Sequence, residues 1–412
     1  MDNAKYIVLY DTAESHENLL PLAYTRPVAD FRVGITTIKD KWMALLPGRY
    51  SYKTVGYLQE KFPAAELKGE FALFIAGCVI PDARLADAVA KIQPGESITD
   101  GERIIAFCAR EEEFEKYADA KPEDIKDPVM VEPELGSLRY VFDIFQKNAA
   151  VLKNDYARLT AGRTSQQLSD TCTLIGNPTT EDGLPSVFIE EGATVEGAIL
   201  NVKNGPIYIG KDAEVMEGCV LRGPIALCQR SKFKMGSKIY GGTTIGPFSK
   251  VGGEIDNIVI FGYSNKAHDG YLGNAVIGEW CNIGAGTNAS NLKNDYAKIR
   301  IWNYRQQRFM RTDLQFCGLI MGDHSKAGIN CMFNTATVVG VGVNLHGAGF
   351  PRVFIPSFSE GSPEGGFTNV GIDKFMTTAQ RVMSRRGLDL NDIDRHICEY
   401  IYEYASKFKG KR

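Results

Sequence analysis

Bulky apolar residues recur at every sixth position over residues 209–251. The eight positions are Ile209, Val215, Leu221, Leu227, Phe233, Ile239, Ile245 and Val251. This spacing excludes a helix face, which repeats about every 3.6 residues, and a half-buried strand, which repeats about every 2. A six-residue period instead predicts a left-handed parallel β-helix, in which three short strands make one triangular coil and the apolar residue points inward. An ordinary β-sandwich with coincidental spacing is the alternative.

The same spacing returns on either side of this run. Ile189 and Val195 stand six apart, and a slip of register separates them from Ile209. After Val251 the repeat resumes at Tyr271, Ile277, Ile283, Met321, Ala327, Phe333, Val339 and Leu345. Residues 291–316 are too polar and aromatic for the coil, so we expect them to project from it as a hairpin. The predicted β-helix therefore covers residues 166–350.

The pattern of the first 165 residues is different, because apolar runs of strand length alternate with helix-like segments. Predicted strands are residues 5–10, 71–80, 104–108 and 129–131, and predicted helices are residues 83–92 and 137–159. This alternation favours a mostly parallel α/β layer, closed by the long helix. Residues 351–371 are rich in proline, glycine and serine and predict a linker. Residues 372–412 predict C-terminal helices, interrupted at Gly387 and with Asn391 as an N-cap.

Composition narrows the class of protein and its partners. A net charge of −3 over 412 residues gives no reason to expect nucleic acid or an anionic membrane as a partner. No apolar run is long enough for a secretory signal or a membrane span. Nine cysteines without a CxxC pair predict reduced thiols and a cytoplasmic location. The 42 glycines suit the corners of a coil, as at Gly210, Gly236, Gly242, Gly246 and Gly252, where a turn favours positive φ.

The candidate chemistry is concentrated in residues 264–291. His268 lies in a polar segment that interrupts the repeat, so it does not fill a core column, and it stands about one coil from the bare backbone of Gly284 and Gly286. A lone histidine is more often structural than catalytic. A neutral imidazole is nevertheless suited to take a proton from an amine that attacks a thioester, and exposed backbone amides suit the resulting oxyanion.

The stretch HDGYLGNAVIGEWCNIGAGT carries a family resemblance. It resembles the acetyltransferase half of the bifunctional glucosamine-1-phosphate acetyltransferase / N-acetylglucosamine-1-phosphate uridylyltransferase family, whose motif is H-x-x-Y-x-G-D-x-x-I-G-x-x-x-N-x-G-A-G-T. Asn274 replaces the aspartate of that motif. The layout of nearly the whole chain resembles an alternative bacterial form with a shortened, nucleotidyltransferase-like N-terminal domain.

The resemblance implies acetyl transfer from acetyl-CoA to glucosamine 1-phosphate or a related amino-sugar phosphate. His268 would be the general base on the sugar amine. Substrate contacts would come from Tyr271, Asn282, Asn291 and Lys298. The acetyl-CoA groove would be lined by Ala285, Ile329 and Gly347. Members of this family are homotrimers with the site between neighbouring coils, and the resemblance implies the same assembly for this chain.

One departure from the family concerns the grip on the sugar phosphate. The family places an arginine and a lysine upstream of the histidine, at positions that fall near Gly252 and Asp256. Lys250, Lys266 or a residue of a neighbouring subunit would have to substitute. If none does, the acceptor differs from glucosamine 1-phosphate.

The N-terminal domain resembles a degenerate sugar-nucleotidyltransferase signature. Pro21-Leu22 survives from that signature, and Arg26 and Arg32 are candidate contacts for a nucleoside triphosphate such as UTP, because guanidinium groups suit phosphate oxygens. The alternative is that both arginines only cap loops. A glycine-rich loop is absent, and Gly77-Cys78 stands where the family has a Mg²⁺-binding Gly-Asp, so Asp11 or Asp82 would have to serve.

Two other functions fit parts of the sequence. A γ-type carbonic-anhydrase-like zinc enzyme needs three converging histidines, and the coil region offers His268, His324 and His346 at unsuitable spacing. A degenerate, non-catalytic N-terminal domain would instead make the chain a sensor or scaffold. The terminal basic run SKFKGKR is expected to be a solvated tail, with docking on a neighbouring coil as the alternative.

Overall fold

The computed structural model describes residues 5–409, which form two compact units. The N-terminal unit contains residues up to Leu19, Thr25–Phe31 and Thr36–Asp143. The coil unit contains Leu20–Tyr24, Arg32–Ile35 and the chain from Ile144 onward. The end of the basic run SKFKGKR, residues 410–412, lies outside the described residues. In the described part, no helix combines the length and the apolar character needed to cross a membrane.

The N-terminal unit is built on one mixed, six-stranded sheet. Its strands, in spatial order, are Arg49–Lys53, Tyr6–Tyr10, Ala72–Ala76, Ile104–Ala109, Ser97–Thr99 and Val129–Met130. Its α-helices are Ala13–Asn18, Ile38–Leu45, Ala83–Lys91 and Phe114–Ala118. Short 3-10 turns are Val28–Asp30, Gly56–Leu58, Glu111–Glu113 and Pro122–Asp124. The first two strands and the third run parallel, whereas Ile104–Ala109 pairs antiparallel with both of its neighbours. The sheet is therefore less parallel than the sequence predicts.

The coil unit is a prism of three faces made from short parallel strands. The first face contains Thr173–Ile175, Ile199–Asn201, Val220–Arg222, Lys238–Ile239, Asn288–Ala289 and Met332–Phe333. The second contains Val187–Ile189, Ile207–Ile209, Ile225–Leu227, Thr243–Ile245, Ile320–Met321, Val338–Val339 and Phe354–Ile355. The third contains Thr194–Val195, Glu214–Val215, Lys232–Phe233, Lys250–Val251, Asn265–Lys266, Asn282–Ile283, Lys326–Ala327 and Asn344–Leu345. Two long strands, Glu254–Gly262 and Tyr271–Glu279, run along both of the first two faces.

All eight positions of the predicted apolar run are buried in one hydrophobic core. On the third face, Val195, Val215, Phe233 and Val251 are register partners from coil to coil. Each buried aliphatic side chain contributes about 1.5–3 kcal/mol, so the columns stabilise the prism. The predicted β-helix is confirmed.

The coils around residues 251–277 depart from the regular spacing. Inward residues Val251 and Ile255 are four positions apart, and Ile255 and Ile260 are five apart. On the first face, the inward residue of the next coil after Ile255 is Leu272, which is 2% exposed. Tyr271 is only half-buried, so its assignment to the apolar repeat is wrong.

Glycines at the corners act in two ways. Gly236 and Gly242 have positive φ, as predicted. Gly210, Gly246 and Gly252 are not in that region. Instead the next coil passes too close for a side chain, because a methyl group at Gly246 would lie 2.0 Å from the carbonyl oxygen of Phe261.

The segment predicted to be a linker has more structure than the sequence pattern indicates. The strand Phe354–Ile355 extends the second face, and Ser359–Ser362 pairs with Asn344–Leu345 and with the antiparallel strand Gly366–Asn369. The expected linker at 351–371 is therefore part of the coil. The hairpin predicted at 291–316 is confirmed as antiparallel strands Arg300–Asn303 and Arg308–Arg311.

Helices complete the coil unit. They are Asp143–Thr160, Ile372–Ser384 and Asp392–Ala405, with 3-10 turns at Leu22–Tyr24 and Ser406–Phe408. The side chain of Asn391 accepts the backbone N–H of Asp394 at 2.8 Å, which confirms the predicted N-cap.

Candidate active site at the His268 corner

His268 is exposed at the corner that joins the third face to the first. It lines a shallow cavity of about 510 Å³. The cavity is lined by Lys234, Met235, Gly252, Gly253, Ala267, His268, Asp269, Ala285 and Gly286. The corners above and below the imidazole are therefore formed by glycine and alanine.

The short step from Val251 to Ile255 opens this cavity. The corner above His268 consists of Gly252 and Gly253 alone, so no side chain projects from it. Gly253 has φ +83, and a methyl group there would lie 2.6 Å from the carbonyl oxygen of Gly270. The shortened coil and the bare backbone of Gly252 and Gly253 together leave an open surface beside the imidazole, which we call the ledge.

The loop that carries His268 is tied to the coil interior by Lys266. The Lys266 ammonium donates to the carbonyl oxygen of His268 and, at 3.0 Å, to that of Asp269. The Asp269 carbonyl oxygen also accepts the N–H of Gly286 at 2.9 Å. Lys266 is 1% exposed, so among the alternatives for the phosphate contact it is the one whose ammonium is turned into the coil.

Two predicted substrate contacts, Tyr271 and Asn291, come together on the first face. The side-chain amide of Asn291 donates to the Tyr271 phenol oxygen at 2.9 Å and to Asn274 Oδ1 at 2.7 Å. Burial, the nearby Asp256 carboxylate and Glu254 raise the pKa of Tyr271 to about 12. The phenol therefore stays protonated at neutral pH and is available as a donor.

The other predicted contacts occupy separate positions. Asn282 is exposed on the third face. Lys298 lies before the hairpin, is largely exposed and pairs with Asp313 at 3.0 Å. Ala285, Ile329 and Gly347 stand at three successive corners after third-face strands, on the same edge as His268, and Ile329 is 69% exposed. Their roles as substrate and acetyl-CoA contacts stay predictions.

The charges near the site differ from those of the family. Glu254 is the register partner of Tyr271, and Asp256 is the partner of Gly273. Burial raises the pKa of Asp256, and the Glu254 carboxylate adds to that shift. Asp256 thus stands near the position where the family that the motif resembles has a lysine. Lys234 is the cation that lines the cavity itself, and sequence reasoning missed it although it directly follows the inward residue Phe233.

Lys250 belongs to a group of cations beside the cavity. It is half-buried and is the register partner of Lys232. Burial lowers the pKa of Lys250, and the charges of Arg386 and Lys232 contribute. Its role as a substitute for the family's phosphate contact stays a prediction.

Asp11 and Asp82, the two carboxylates that would have to replace the missing Mg²⁺ ligand, are both engaged in hydrogen bonds. The Asp11 carboxylate accepts the Val28 N–H at 3.2 Å and the Thr54 hydroxyl at 2.8 Å, and burial raises its pKa to about 7. Asp82 caps the helix Ala83–Lys91 and accepts the N–H of Glu134 at 2.8 Å. Cys78, in the position of the family's aspartate, is 2% exposed. Mg²⁺ needs available oxygen ligands, and the oxygens of Asp11 and Asp82 already accept these hydrogen bonds.

The candidate triphosphate contacts fall in different units. Arg26 belongs to the N-terminal unit and is 8% exposed. Arg32 belongs to the coil unit, where its guanidinium donates to the carbonyl oxygens of Ile35 and, at 3.0 Å, Phe261. Their role as triphosphate contacts stays a prediction.

The histidines proposed for zinc do not form a site within the chain. His324 is 7% exposed, stacks on Trp280 and meets Phe375 edge-to-face, whereas His268 and His346 are exposed at corners. Across residues 5–409, no group of three or more His, Cys, Asp or Glu side chains is arranged to hold a metal ion.

The fold defines a β-helix of six-residue repeats joined to an α/β unit. Residues 7–164 match the family model described as sugar nucleotidyl transferase. The α/β unit is thus nucleotidyltransferase-like, as predicted, and the C-terminal helices follow the β-helix.

Two curated proteins are similar to parts of the chain. A bifunctional sugar-1-phosphate nucleotidylyltransferase/acetyltransferase from Sulfurisphaera tokodaii is 29% identical over 163 residues, which cover 39% of each chain. A bifunctional GlmU protein from Methanocaldococcus jannaschii is 32% identical over 87 residues, which cover 21% of each chain. The chain therefore matches about two fifths of the length of the first relative and about one fifth of the length of the second.

Among solved structures, a mutant of AntD, an N-acyltransferase from Bacillus cereus, in complex with dTDP and coenzyme A, is 14% identical, with a TM-score of 0.22. The alignment covers 48% of this chain and 89% of that one. A likeness at this score carries no argument about function.

Proposed function

We propose that the coil unit transfers an acetyl group from acetyl-CoA to the amine of an amino-sugar phosphate, with glucosamine 1-phosphate as the expected acceptor. The observation that carries this proposal is the exposed imidazole of His268 beside a ledge of bare backbone. The motif resemblance supports it, and so do the names of the two curated relatives, which are a nucleotidylyltransferase/acetyltransferase and a bifunctional GlmU protein.

The reaction needs one base and one leaving group. His268 takes a proton from the sugar amine as its nitrogen attacks the thioester carbonyl, so that an N–C bond forms. The C–S bond then breaks, and the departing thiolate of coenzyme A takes the proton from the imidazolium. The backbone N–H groups of Gly252 and Gly286 donate to the carbonyl oxygens of Lys266 and Asp269, so the oxyanion between these steps needs other donors.

The edge below His268 is the proposed path of acetyl-CoA. Ala285, Ile329 and Gly347 follow one another along it, one corner per coil. A pantetheine arm laid along this edge would bring its thioester to the imidazole. Tyr271, Asn282, Asn291 and Lys298 are the proposed acceptor contacts, and a homotrimer with the site between neighbouring coils is the proposed assembly.

The charges around the cavity bear on the identity of the acceptor. Lys234 supplies a cation to the cavity, whereas Glu254 and Asp256 beside Tyr271 disfavour an anionic group. Parallel assays with glucosamine 1-phosphate, glucosamine 6-phosphate and glucosamine would show whether the acceptor carries a phosphate and where.

The test of the base is a thiol-release assay with acetyl-CoA and glucosamine 1-phosphate. His268→Ala is expected to lower kcat by about 10²–10⁴-fold without unfolding the coil. His396→Ala, a change at an exposed histidine of the C-terminal helix, is the matched control and should leave kcat unchanged. Acetyl transfer by His268→Ala at the wild-type rate would show that the base assignment is wrong.

Nucleotidyl transfer from UTP by the N-terminal unit is the second candidate function. The family match over residues 7–164 favours it, and the engaged carboxylates of Asp11 and Asp82 oppose it. The assay measures pyrophosphate release from UTP in the presence of Mg²⁺ and N-acetylglucosamine 1-phosphate. Release that is lost in Arg26→Gln but kept in Arg84→Gln would support nucleotidyl transfer. Absence of pyrophosphate with the wild-type protein would leave this unit as a sensor or scaffold.

A further inference from the structure

Lys266 occupies a core position of the β-helix that is apolar in the neighbouring coils. It is the register partner of Val251, and it follows Asn265, whose partner Asn282 precedes the buried Ile283. The other inward residues of this column are Val195, Val215, Phe233, Val251, Ile283, Ala327 and Leu345. Lys266 is 1% exposed, so its ammonium lies inside the prism.

An apolar residue would serve the core better, because burying an ammonium is unfavourable unless its hydrogen bonds are made. Burial indeed lowers the pKa of Lys266 to about 8. The ammonium persists because it donates to the carbonyl oxygens of His268 and, at 3.0 Å, of Asp269. The role of Lys266 therefore lies in these hydrogen bonds, which fix the corner that carries His268.

Regular corners on the same edge are fixed by a different kind of hydrogen bond, which comes from a side-chain hydroxyl. The residue two positions before the inward residue of the first face is Ser237 in one coil and Thr287 in another. The Ser237 hydroxyl donates to the carbonyl oxygen of Lys234, and the Thr287 hydroxyl donates to that of Gly328 at 3.0 Å. At the His268 corner the equivalent residue is Gly270, which has no side-chain donor. A methyl group there would lie 2.1 Å from the carbonyl oxygen of Thr287.

We propose that Lys266 is a positioning residue for acetyl transfer, which acts by fixing the 267–270 corner from inside the coil and so aims the His268 imidazole at the ledge. This inference rests on the proposed function, because positioning has an effect only if His268 is the base. A displacement of about 1 Å of a catalytic group lowers the rate by about 10²-fold, so the loss of this tie affects kcat. The acetyl-CoA edge below the corner is not touched.

The test compares Lys266→Met with Lys41→Met. Methionine keeps the length of the lysine stem and removes the donors. Lys41 is another buried lysine, 2% exposed, which donates to the carbonyl oxygen of Thr36 at 2.7 Å in the N-terminal unit. Lys266→Met is expected to lower kcat at least about tenfold, with KM for acetyl-CoA within about twofold. Lys41→Met should leave both constants unchanged.

A double variant separates positioning from general damage. If Lys266 acts through His268, Lys266→Met/His268→Ala should turn over no more slowly than His268→Ala alone, because effects of residues that act as a unit are not additive. A further loss in the double variant, or an unchanged kcat in Lys266→Met, overturns the inference. Should Lys266→Met fail to fold by circular dichroism, Lys266→Gln, which keeps an amide donor group, takes its place and is expected to lower kcat less severely.

The same assays distinguish this inference from the proposed function. If the wild-type protein transfers no acetyl group to any of the three acceptors, the proposed function is contradicted. The inference about Lys266 is then contradicted as well. Active wild type together with an active Lys266→Met contradicts the inference alone.

Discussion

The side-chain amide of Asn291 donates a hydrogen bond of 2.9 Å to the phenol oxygen of Tyr271, and this bond passes over the backbone of a glycine. Gly273 lies beneath this hydrogen bond. A methyl group on Gly273 would lie 2.2 Å from the phenol oxygen and 2.7 Å from the Asn291 nitrogen. The contact between the two proposed acceptor residues therefore depends on a glycine whose backbone conformation any residue could adopt.

This dependence makes Gly273→Ala a probe of the acceptor side of the site. The added methyl group has to displace Tyr271 or Asn291, so the pair is expected to separate. We expect kcat/KM for the amino-sugar acceptor to fall about tenfold or more, while KM for acetyl-CoA stays unchanged because that edge is not altered. Steady-state kinetics with each substrate varied in turn would measure this.

The matched control for this variant is Gly56→Ala. Apart from the neighbouring backbone of its own segment, no atom lies within 4 Å of the added methyl group at Gly56, and the φ of Gly56 is not positive. It should leave acetyl transfer unchanged. Equal kcat/KM values for Gly273→Ala and the wild type would show that the Tyr271–Asn291 pair does not contact the acceptor.

The sequence pattern predicts the prism well, because the inward positions of Val215, Leu221 and Phe233 repeat without interruption. It fails at the short coil, where Ile255 follows Val251 by four positions and the six-residue count assigns Tyr271 instead of Leu272 to the core. The same irregularity opens the cavity beside His268. A lysine in a core column cannot be predicted from periodicity, because the pattern is read from apolar residues alone.

The N-terminal unit offers a prediction about pH. Burial raises the folded-state pKa of Asp11 from 3.8 to about 7, whereas the unfolded chain ionises near 3.9. Between these values the folded state binds more protons than the unfolded state, so the stability that this group contributes is complete below about pH 4 and is lost as pH rises through about 7. The full effect is at most ~4 kcal/mol.

Asp11→Asn keeps the side chain uncharged at every pH. The variant is therefore expected to gain stability relative to the wild type as pH rises from about 4.5 to 8. Urea unfolding of both proteins at the two pH values measures the difference, with Asp87→Asn, an exposed site, as the control that should show none. The same difference at both pH values would place the Asp11 pKa in its ordinary range.

The helix Asp143–Thr160 leads to a prediction about stability. Asn148 is fully buried; its Oδ1 accepts the Gly34 N–H at 2.6 Å, and its amide donates to the Gly242 carbonyl oxygen at 2.7 Å. Asn148→Ala leaves both backbone groups without this partner, and each unsatisfied buried group costs about 1–3 kcal/mol. We expect a loss of about 3 kcal/mol in the free energy of unfolding.

Asn154→Ala is the control on the same helix, because Asn154 is exposed. Chemical denaturation followed by circular dichroism would compare the two variants. If Asn148→Ala is as stable as Asn154→Ala, the hydrogen bonds of Asn148 do not fix this helix to the coil. The sequence alone gives no sign of them, since Gly34 and Gly242 are remote from Asn148 along the chain.

The stability that Lys266 contributes is expected to increase with pH, whereas the contribution of Asp11 decreases with pH. Burial lowers the folded-state pKa of Lys266 from 10.5 to about 8, with the Asp269 carboxylate opposing the shift. Between about pH 8 and 10.5 the unfolded chain binds more protons, so the stability contributed by this group increases with pH, by up to ~3 kcal/mol. Lys266→Met lacks the titrating amine and should lose this increase. Thermal unfolding of wild type, Lys266→Met and Lys41→Met at about pH 7 and pH 9.5 would measure it. The same pH response in Lys266→Met as in the wild type would mean that the ammonium is not buried in the coil.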